Sequence, residues 1–359
     1  MADNSSSATY SGNYLLSICI STRNRCALLI QTITSALSQM GEQVEIVVVD
    51  GASNDDTQQA MERIAAEDGR VRYFREPENG GIDRDYDKAV IYAKGAYCWL
   101  MSDDDFFLPG AIGRVLDATL DSPSLIIVDA EVRNVDQSKL LLHRRMDITS
   151  DLFIKMEDFD LLFLTAGKQL TFIGAVVIRR SMWLERDRET YYGSFFIHVG
   201  VIFQQPLPHG AIVIMQPCLS IRYGNASWTE RTFEIWMFRW PQLVWSLPSL
   251  SLEAKRRVVL ERPYESVRDL ILLRAKGAYS WTEYRRWLAF GPSSWSRKLV
   301  CAAIALFPGV LLNLLAITYT LAFSRATRFA MVDLIGSRYF PFKLIRDALS
   351  KPQADEKWP

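Results

Sequence analysis

The sequence predicts a doubly wound α/β fold with a mostly parallel sheet, followed by a helical C-terminal extension. Short apolar runs alternate with segments of helical periodicity through the first 130 residues, and the last third contains a long apolar stretch without charge. Apolar residues make up 49% of the 359-residue chain and charged residues 23%, as in globular rather than disordered proteins.

The first two strands are predicted at residues 14–20 and 44–49. The earlier run is bounded by turn residues, and the later one is almost entirely β-branched, as expected for a parallel strand buried on both faces. Between them, residues 21–25 contain helix-capping types, and apolar residues then recur at spacings of three and four until Gly41. The second strand ends at Asp50.

Three more strands are predicted at residues 71–74, 96–101 and 124–128, with helical segments between them. Polar side chains follow the predicted strands at or near their C-terminal ends. Because ligands of such sheets bind beyond the carboxyl ends of the strands, these side chains are expected to form one site. They are Thr22, Arg23, Asp50, Asp83, Arg84 and the run from Asp103 to Asp105.

The acidic run Asp103, Asp104 and Asp105 predicts a cation site. Three adjacent carboxylates repel one another unless a cation offsets them, and hard oxygen ligands favour Mg²⁺ or Mn²⁺. In an extended segment Asp103 and Asp105 point to one side and Asp104 to the other, which leaves Asp104 for a sugar or ribose hydroxyl. The alternative is a solvated acidic turn that caps the helix starting near Pro109. Asp50 also has two interpretations. It either accepts a hydrogen bond from a base or ribose, or it caps the turn that follows it.

Four segments resemble the signature blocks of family 2 glycosyltransferases of the GT-A fold: ICISTRNR (18–25), VVVDGASNDDT (47–57), NGGIDR (79–84) and YCWLMSDDD (97–105). Within that family the chain most resembles the abequosyltransferase-like branch, which adds sugars during assembly of bacterial O-antigen and related polysaccharides. The resemblance implies a nucleotide-sugar donor. It places Thr22 and Arg25 at the base pocket, Asp50 on the base, Asp83 near the ribose or base, and Asp103 and Asp105 at the metal and diphosphate.

Transfer with inversion also needs a base for the acceptor hydroxyl. In this family the base is usually an Asp of an acidic pair, at the start of a helix that follows an acceptor-site strand. Here residues 171–178 are the predicted strand, and His198 stands where the acidic pair is expected. A neutral imidazole is a competent base near pH 7. In the alternative, His198 is a buried histidine bonded to backbone, and Glu185, Asp187 or Glu189 is the base.

Two further features of the middle segment have paired interpretations. Arg222 follows another apolar run and suits bidentate contact with the donor diphosphate, or else a surface salt bridge. Trp228, Trp236 and Trp240 form either a sugar-stacking platform or part of a core.

Residues 299–324 carry no charge, are flanked by basic residues, and are interrupted at Pro308 and Gly309. The interruption favours a re-entrant or interfacial helix pair, with a spanning helix and a buried soluble helix as alternatives. We therefore expect a peripheral or monotopic protein at the cytoplasmic face of the inner membrane, with a lipid-linked glycan as acceptor. The five cysteines show neither paired nor zinc-site spacing, which fits reduced thiols in the cytosol.

The predicted organisation has four parts: a tail (1–13), a glycosyltransferase domain (14–245, with a nucleotide-sugar half at 14–130 and an acceptor half at 131–245), a helical region (246–350) and a second tail (351–359). Residues 1–160 carry 15 Lys/Arg and 27 Asp/Glu, whereas residues 161–359 carry 26 and 14. An acidic front half suits cation binding, and a basic back half suits phosphates or an anionic membrane. No concentrated basic stripe indicates a nucleic-acid partner.

Two other functions compete with glycosyl transfer. A sugar nucleotidyltransferase shares a similar sheet but normally has a glycine-rich basic loop after the first strand, which residues 21–25 do not provide. A non-catalytic, membrane-associated assembly subunit that retains the fold is the other alternative, because the acidic base is missing.

Overall fold

The structure is a computed structural model that describes residues 14–225, 231–323 and 327–342. The described chain forms two compact units. The first contains residues 14–130, 144–220 and 247–250, and the second contains the remaining described residues. Residues 131–143 and 221–246 belong to the second unit, and the predicted domain boundary near residue 245 stays a prediction.

Strands and helices alternate along the first part of the chain. Their order is β1 (Leu16–Thr22), α1 (Cys26–Leu37), β2 (Val44–Asp50), α2 (Thr57–Glu67), β3 (Val71–Arg75), α3 (Ile82–Tyr92), β4 (Tyr97–Met101), β5 (Phe106–Phe107), α4 (Ala111–Thr119) and β6 (Leu125–Arg133). The next elements are β7 (Leu140–Leu142), β8 (Leu152–Ile154), α5 (Phe159–Ala166), β9 (Val176–Arg179), α6 (Arg180–Glu185), α7 (Ile197–Ile202) and β10 (Ala211–Arg222). Short 3-10 helices occur at Gln169–Thr171, Ile173–Ala175 and Glu189–Tyr191.

The sheet has the strand order β3-β2-β1-β4-β9-β6-β10-β5, with β7 beside β6 and β8 beside β10. Strands β1 to β4 pair in parallel, which confirms the predicted doubly wound arrangement. Strand β9 pairs antiparallel with both β4 and β6, so β6 runs in the same direction as β4. The sequence did not predict this insertion, because β9 comes from a segment far along the chain from β4.

Strand β2 lies between β1 and β3, and all seven of its residues are buried. This burial explains its β-branched composition. The predicted strand at 171–178 is shorter than expected, since its first half forms 3-10 turns. There the indole nitrogen of Trp99 donates to the carbonyl oxygen of Gly174 at 2.8 Å, which holds that turn against β4.

The second unit is mainly helical. Its helices are α8 (Thr232–Glu234), α9 (Trp240–Ser246), α10 (Leu252–Val258), α11 (Val267–Lys276), α12 (Trp281–Glu283), α13 (Trp295–Leu306), α14 (Gly309–Phe323) and α15 (Thr327–Gly336), with π-helical turns at Ile235–Arg239 and Tyr284–Leu288 and a 3-10 turn at Pro263–Glu265. Trp236 packs against the core of this unit and Trp240 is buried, which favours the core interpretation of both. Trp228 lies outside the described residues.

Helices α13 and α14 meet at an angle of 88°, at the break that Pro308 predicts. In the described part of the chain, no single helix is long and apolar enough to cross a membrane, whereas this bent pair meets the length and composition requirements jointly.

Candidate active site

The register of the parallel strands brings the candidate residues to one edge. Thr22 lies opposite Asp50 in the β1–β2 pairing, and Ile20 lies opposite Met101 in the β1–β4 pairing. The residues that follow β1, β2 and β4 therefore share the carboxyl edge of the sheet, as the sequence predicts.

At this edge the acidic run contacts the end of β1 and the start of α1. The Thr22 hydroxyl donates to Oδ2 of Asp103 at 2.8 Å. The Arg25 guanidinium donates to Oδ1 of Asp103 at 3.0 Å and to Oδ2 of Asp104 at 2.7 Å. Four of the predicted site residues thus form one hydrogen-bonded network, which we call the Arg25 network (Thr22, Arg25, Asp103 and Asp104).

The expected alternation of the three aspartates is not observed. The chain bends at Asp103 and Asp104, so both carboxylates reach Arg25. Asp105 instead accepts a hydrogen bond from the Ser102 hydroxyl. Burial raises the pKa of Asp103 to about 6; Arg25 opposes this shift, and the neighbouring Asp104 adds to it.

The chemistry of this donor set fits a hard divalent cation, because buried carboxylate oxygens are what Mg²⁺ and Mn²⁺ prefer. Among the described residues, no group of three or more His, Cys, Asp or Glu side chains is arranged to hold a metal ion alone. Mg²⁺ is commonly bound by one or two carboxylates together with substrate phosphates. These aspartates suit a metal ion that is held jointly by the protein and the phosphates of its substrate.

Asp50 is fully buried, and both of its carboxylate oxygens already accept hydrogen bonds. Its Oδ1 accepts from the backbone N–H and the hydroxyl of Ser53, at 2.9 and 2.6 Å. Its Oδ2 accepts from the Tyr73 hydroxyl at 2.6 Å. Burial and this hydrogen bond raise the pKa of Tyr73. The predicted contact between Asp50 and a base stays a prediction.

Asp83 binds backbone in the loop before α7. Its carboxylate accepts from the backbone N–H groups of Gly193, Phe195 and Ile197, at 2.8, 2.9 and 3.1 Å. Burial raises the pKa of Asp83, and these hydrogen bonds oppose the rise. Asp83 therefore connects the start of α3 to the segment that leads into His198. Its predicted place near the ribose or base stays a prediction.

Sequence reasoning missed two carboxylates on the same helix, Asp85 and Asp87, which are both buried. Asp87 accepts from the Trp183 indole at 2.8 Å and from the Tyr192 hydroxyl at 2.5 Å, and it pairs with Arg188 at 2.8 Å. The sequence feature that could have revealed them is the aspartate at every second position from 83 to 87. This spacing places acidic side chains on more than one face of a helix.

His198 lies in α7 and is buried. Its Nε2 lies 2.7 Å from the carbonyl oxygen of Leu170, so Nε2 carries the proton. Burial lowers the pKa of His198 to about 4. Within the described residues its Nδ1 has no hydrogen-bond partner. This geometry favours the buried-histidine alternative, and the catalytic role stays a prediction.

The other candidates lie elsewhere. Glu185, Asp187 and Glu189 are exposed, and Asp187 accepts from the backbone N–H of Thr190 at 3.3 Å. Arg222 belongs to the second unit, where its guanidinium donates to the carbonyl oxygen of Val135 at 2.6 Å. Its contact with a diphosphate stays a prediction.

Comparisons with known proteins agree with the resemblance in the signature blocks. Residues 17–187 match the sequence model of glycosyl transferase family 2. Abequosyltransferase RfbV of Salmonella typhimurium is 25% identical over 235 residues, which are 60% of this chain and 69% of that protein. Chondroitin synthase of Escherichia coli is 32% identical over 136 residues, which are 38% of this chain and 20% of the synthase. The chain thus spans only a fifth of that larger relative.

Solved structures agree with the fold. TarS of S. aureus (residues 1–349) superposes with a TM-score of 0.54 over 90% of each chain, at 13% identity. Its complex with UDP-GlcNAc gives a TM-score of 0.55 at 12% identity. Residues 17–187 therefore form a domain that matches glycosyl transferase family 2, and the solved structures show the fold that this domain shares with TarS.

Proposed function

We propose that the protein is an inverting glycosyltransferase that moves a sugar from a nucleotide-sugar donor to a glycan acceptor in bacterial surface polysaccharide assembly. The Arg25 network carries this proposal, because it gathers carboxylates and a guanidinium at the edge where such sheets bind nucleotides. The similarity to an abequosyltransferase supports the polysaccharide context.

In this proposal the network positions the donor diphosphate. Asp103 and Asp105 would hold Mn²⁺ or Mg²⁺, which would offset the charge of the leaving nucleoside diphosphate. Arg25 holds Asp103 and Asp104 in place through two charge-assisted hydrogen bonds. The contact of Asp104 with a sugar or ribose hydroxyl stays a prediction, because Asp104 contacts Arg25 together with Asp103 and the alternation on which the prediction rested is not observed.

A second part of the proposal concerns the membrane surface, and helix α14 supports it. Among residues 309–322, the buried positions of this helix are small or polar, namely Gly309, Asn313 and Thr320. Three of its leucines, Leu311, Leu315 and Leu321, are more than half exposed. This pattern is the reverse of a water-facing amphipathic helix.

Specific contacts hold α14 by its polar face. The amide nitrogen of Asn313 donates to the carbonyl oxygens of Ala275 and Leu334, at 3.0 and 2.8 Å. A side chain at Gly309 would begin 2.6 Å from the ring of Tyr339, so the helix packs closely there. The apolar face is therefore directed away from this packing, as a helix inserted into one leaflet requires.

The acceptor in this proposal is lipid-linked. A glucosyltransferase of Campylobacter jejuni whose name specifies a PP-undecaprenol substrate is 31% identical over 106 residues, which are 28% of this chain and 33% of that protein. An enzyme that inserts into the membrane surface meets such an acceptor where it resides.

The experiment is a hydrolysis and transfer assay with a panel of nucleotide sugars, with and without Mn²⁺ or Mg²⁺. We expect turnover of one donor, dependence on the cation, and loss of at least about 100-fold in Asp105→Ala. Asp121→Ala, at an exposed position, is the matched control. No turnover and no binding of any donor by the wild type would overturn the proposal.

A further inference from the structure

Asp85 is a buried carboxylate with one unsatisfied oxygen. It lies in the first turn of α3 and is 3% exposed. Within the described residues its Oδ1 accepts no hydrogen bond. A buried acceptor without a donor lowers stability, and a ligand that supplies a donor would satisfy it.

Two glycines give this carboxylate its position. A Cβ atom at residue 51 would lie 2.9 Å from Oδ2 of Asp85, and one at residue 80 would lie 3.6 Å from Oδ1. Gly51 directly follows Asp50 and donates from its backbone N–H to the carbonyl oxygen of Thr22 at 3.0 Å. Asp85 therefore lies beside the strand ends that carry the candidate donor site.

Asp50 and Asp85 differ in their capacity to accept a further hydrogen bond. Ser53 and Tyr73 already donate to both oxygens of Asp50. Oδ1 of Asp85 is without such a donor among the described residues. A new hydrogen-bond donor at this end of β2 is therefore better matched to Asp85 than to Asp50.

The charge of the carboxylate restricts which part of a nucleotide sugar it can bind. A carboxylate repels phosphate, whereas it accepts well from the N–H groups of a base and the hydroxyls of a ribose. We infer that Asp85 is the nucleoside-recognition residue of this site, accepting a hydrogen bond from the base or ribose of the donor. The inference rests on the proposed nucleotide-sugar function and adds a specific residue to it.

Binding at Oδ1 requires a local movement, because this atom is buried in the structure. Asn79 and Gly80 lie beside the carboxylate and belong to the segment between β3 and α3. That segment is largely exposed, and Gly81 has a positive φ of 88°. We expect a shift of residues 77–81, outside the sheet, to give the nucleoside access to Oδ1.

Calorimetric titration with UDP, CDP, GDP, ADP and dTDP tests the inference. We expect the wild type and Asp121→Asn to bind the same diphosphate with equal affinity, and Asp85→Asn to bind it about 10- to 100-fold more weakly. Asp85→Asn should be at least as thermally stable as the wild type, because it removes an unpaired buried charge, so weaker binding would not reflect unfolding.

Analogues then distinguish the two parts of the nucleoside. The 2′-deoxy form tests the ribose, and a form methylated on the base N–H tests the base. One analogue lacks the hydroxyl or N–H group that donates to Asp85. We expect this analogue to bind the wild type weakly and to bind Asp85→Asn with the same weak affinity. Unchanged affinity in a folded Asp85→Asn protein would overturn the inference alone. Failure of the wild type to bind any of the five diphosphates would overturn the proposed function as well.

Discussion

Thr22 and Asp103 lie 81 residues apart in the sequence, and the hydroxyl of Thr22 donates a 2.8 Å hydrogen bond to Oδ2 of Asp103. This contact joins the end of β1 to the segment that follows β4. Arg25 extends it to Asp104. The parallel pairing of β1 and β4 is what brings these distant residues together.

Replacing Arg25 should destabilise the protein more at pH 7 than at pH 5. In Arg25→Met the carboxylates of Asp103 and Asp104 lose their shared cation, which we expect to lower the free energy of unfolding by about 3 kcal/mol at pH 7. At pH 5 the loss of unfolding free energy should be smaller. The pKa of Asp103 is about 6, so at pH 5 a proton on Asp103 relieves its repulsion with Asp104. Urea unfolding at both pH values measures this, with the exposed Arg63→Met as control. Equal losses at both pH values would contradict it.

Burial of His198 should make stability depend on pH. Its pKa in the folded protein is about 4, below its ordinary value of 6.5, so the unfolded chain binds a proton first as the pH falls. Stability should fall between pH 6.5 and 4, by up to about 3 kcal/mol from this residue. In His198→Gln that part of the pH dependence should be absent. An identical profile in wild type and variant would contradict this prediction.

The same variant separates the two interpretations of His198. A catalytic base predicts loss of transfer with donor affinity nearly unchanged, whereas a structural histidine predicts retained transfer at pH 7 in a less stable protein. Measuring kcat and donor affinity side by side decides between them.

A side chain at residue 51 should disturb the donor site. The Cβ of Gly51→Ala would lie 2.9 Å from Oδ2 of Asp85, so the carboxylate must move. We expect nucleotide binding to weaken by at least about 10-fold. Gly41→Ala is the matched control, since nothing lies within 4 Å of the position its Cβ would take. Equal affinities in the two variants would refute the packing argument.

The exposed face of α14 should be required for membrane binding. Leu315 is 61% exposed, so Leu315→Asp should leave the fold intact while adding a charge to the inserted face. We expect the variant to shift from the pelleted to the soluble fraction in sedimentation with anionic vesicles. Leu120→Asp, at a residue that is 79% exposed in the first unit, is the control. A variant that still pellets with vesicles would contradict insertion by this face.

Residue patterns predicted the strand-end site because parallel strands with apolar composition place their C-terminal ends together. Thr22, Asp50 and the aspartate run could therefore be assigned to one edge from the sequence. The orientation of Asp104 could not, because it depends on a local bend rather than on the strand periodicity.

Asp85 was missed for a related reason. Whether Asp83 or Asp85 faces the end of β2 depends on the residue at which α3 begins, and helix starts are poorly fixed by sequence. The antiparallel β9 was missed because its pairing with β4 and β6 is non-local.

Calorimetric titration of nucleotide sugars in Mn²⁺ tests the donor site most directly, using wild type, Asp103→Asn and Asp121→Asn. We predict that the wild type and Asp121→Asn bind the same donor more tightly with the cation than without it, and that Asp103→Asn loses at least about 10-fold in affinity. Equal cation-dependent binding by Asp103→Asn would contradict the assignment of the donor site to the Arg25 network.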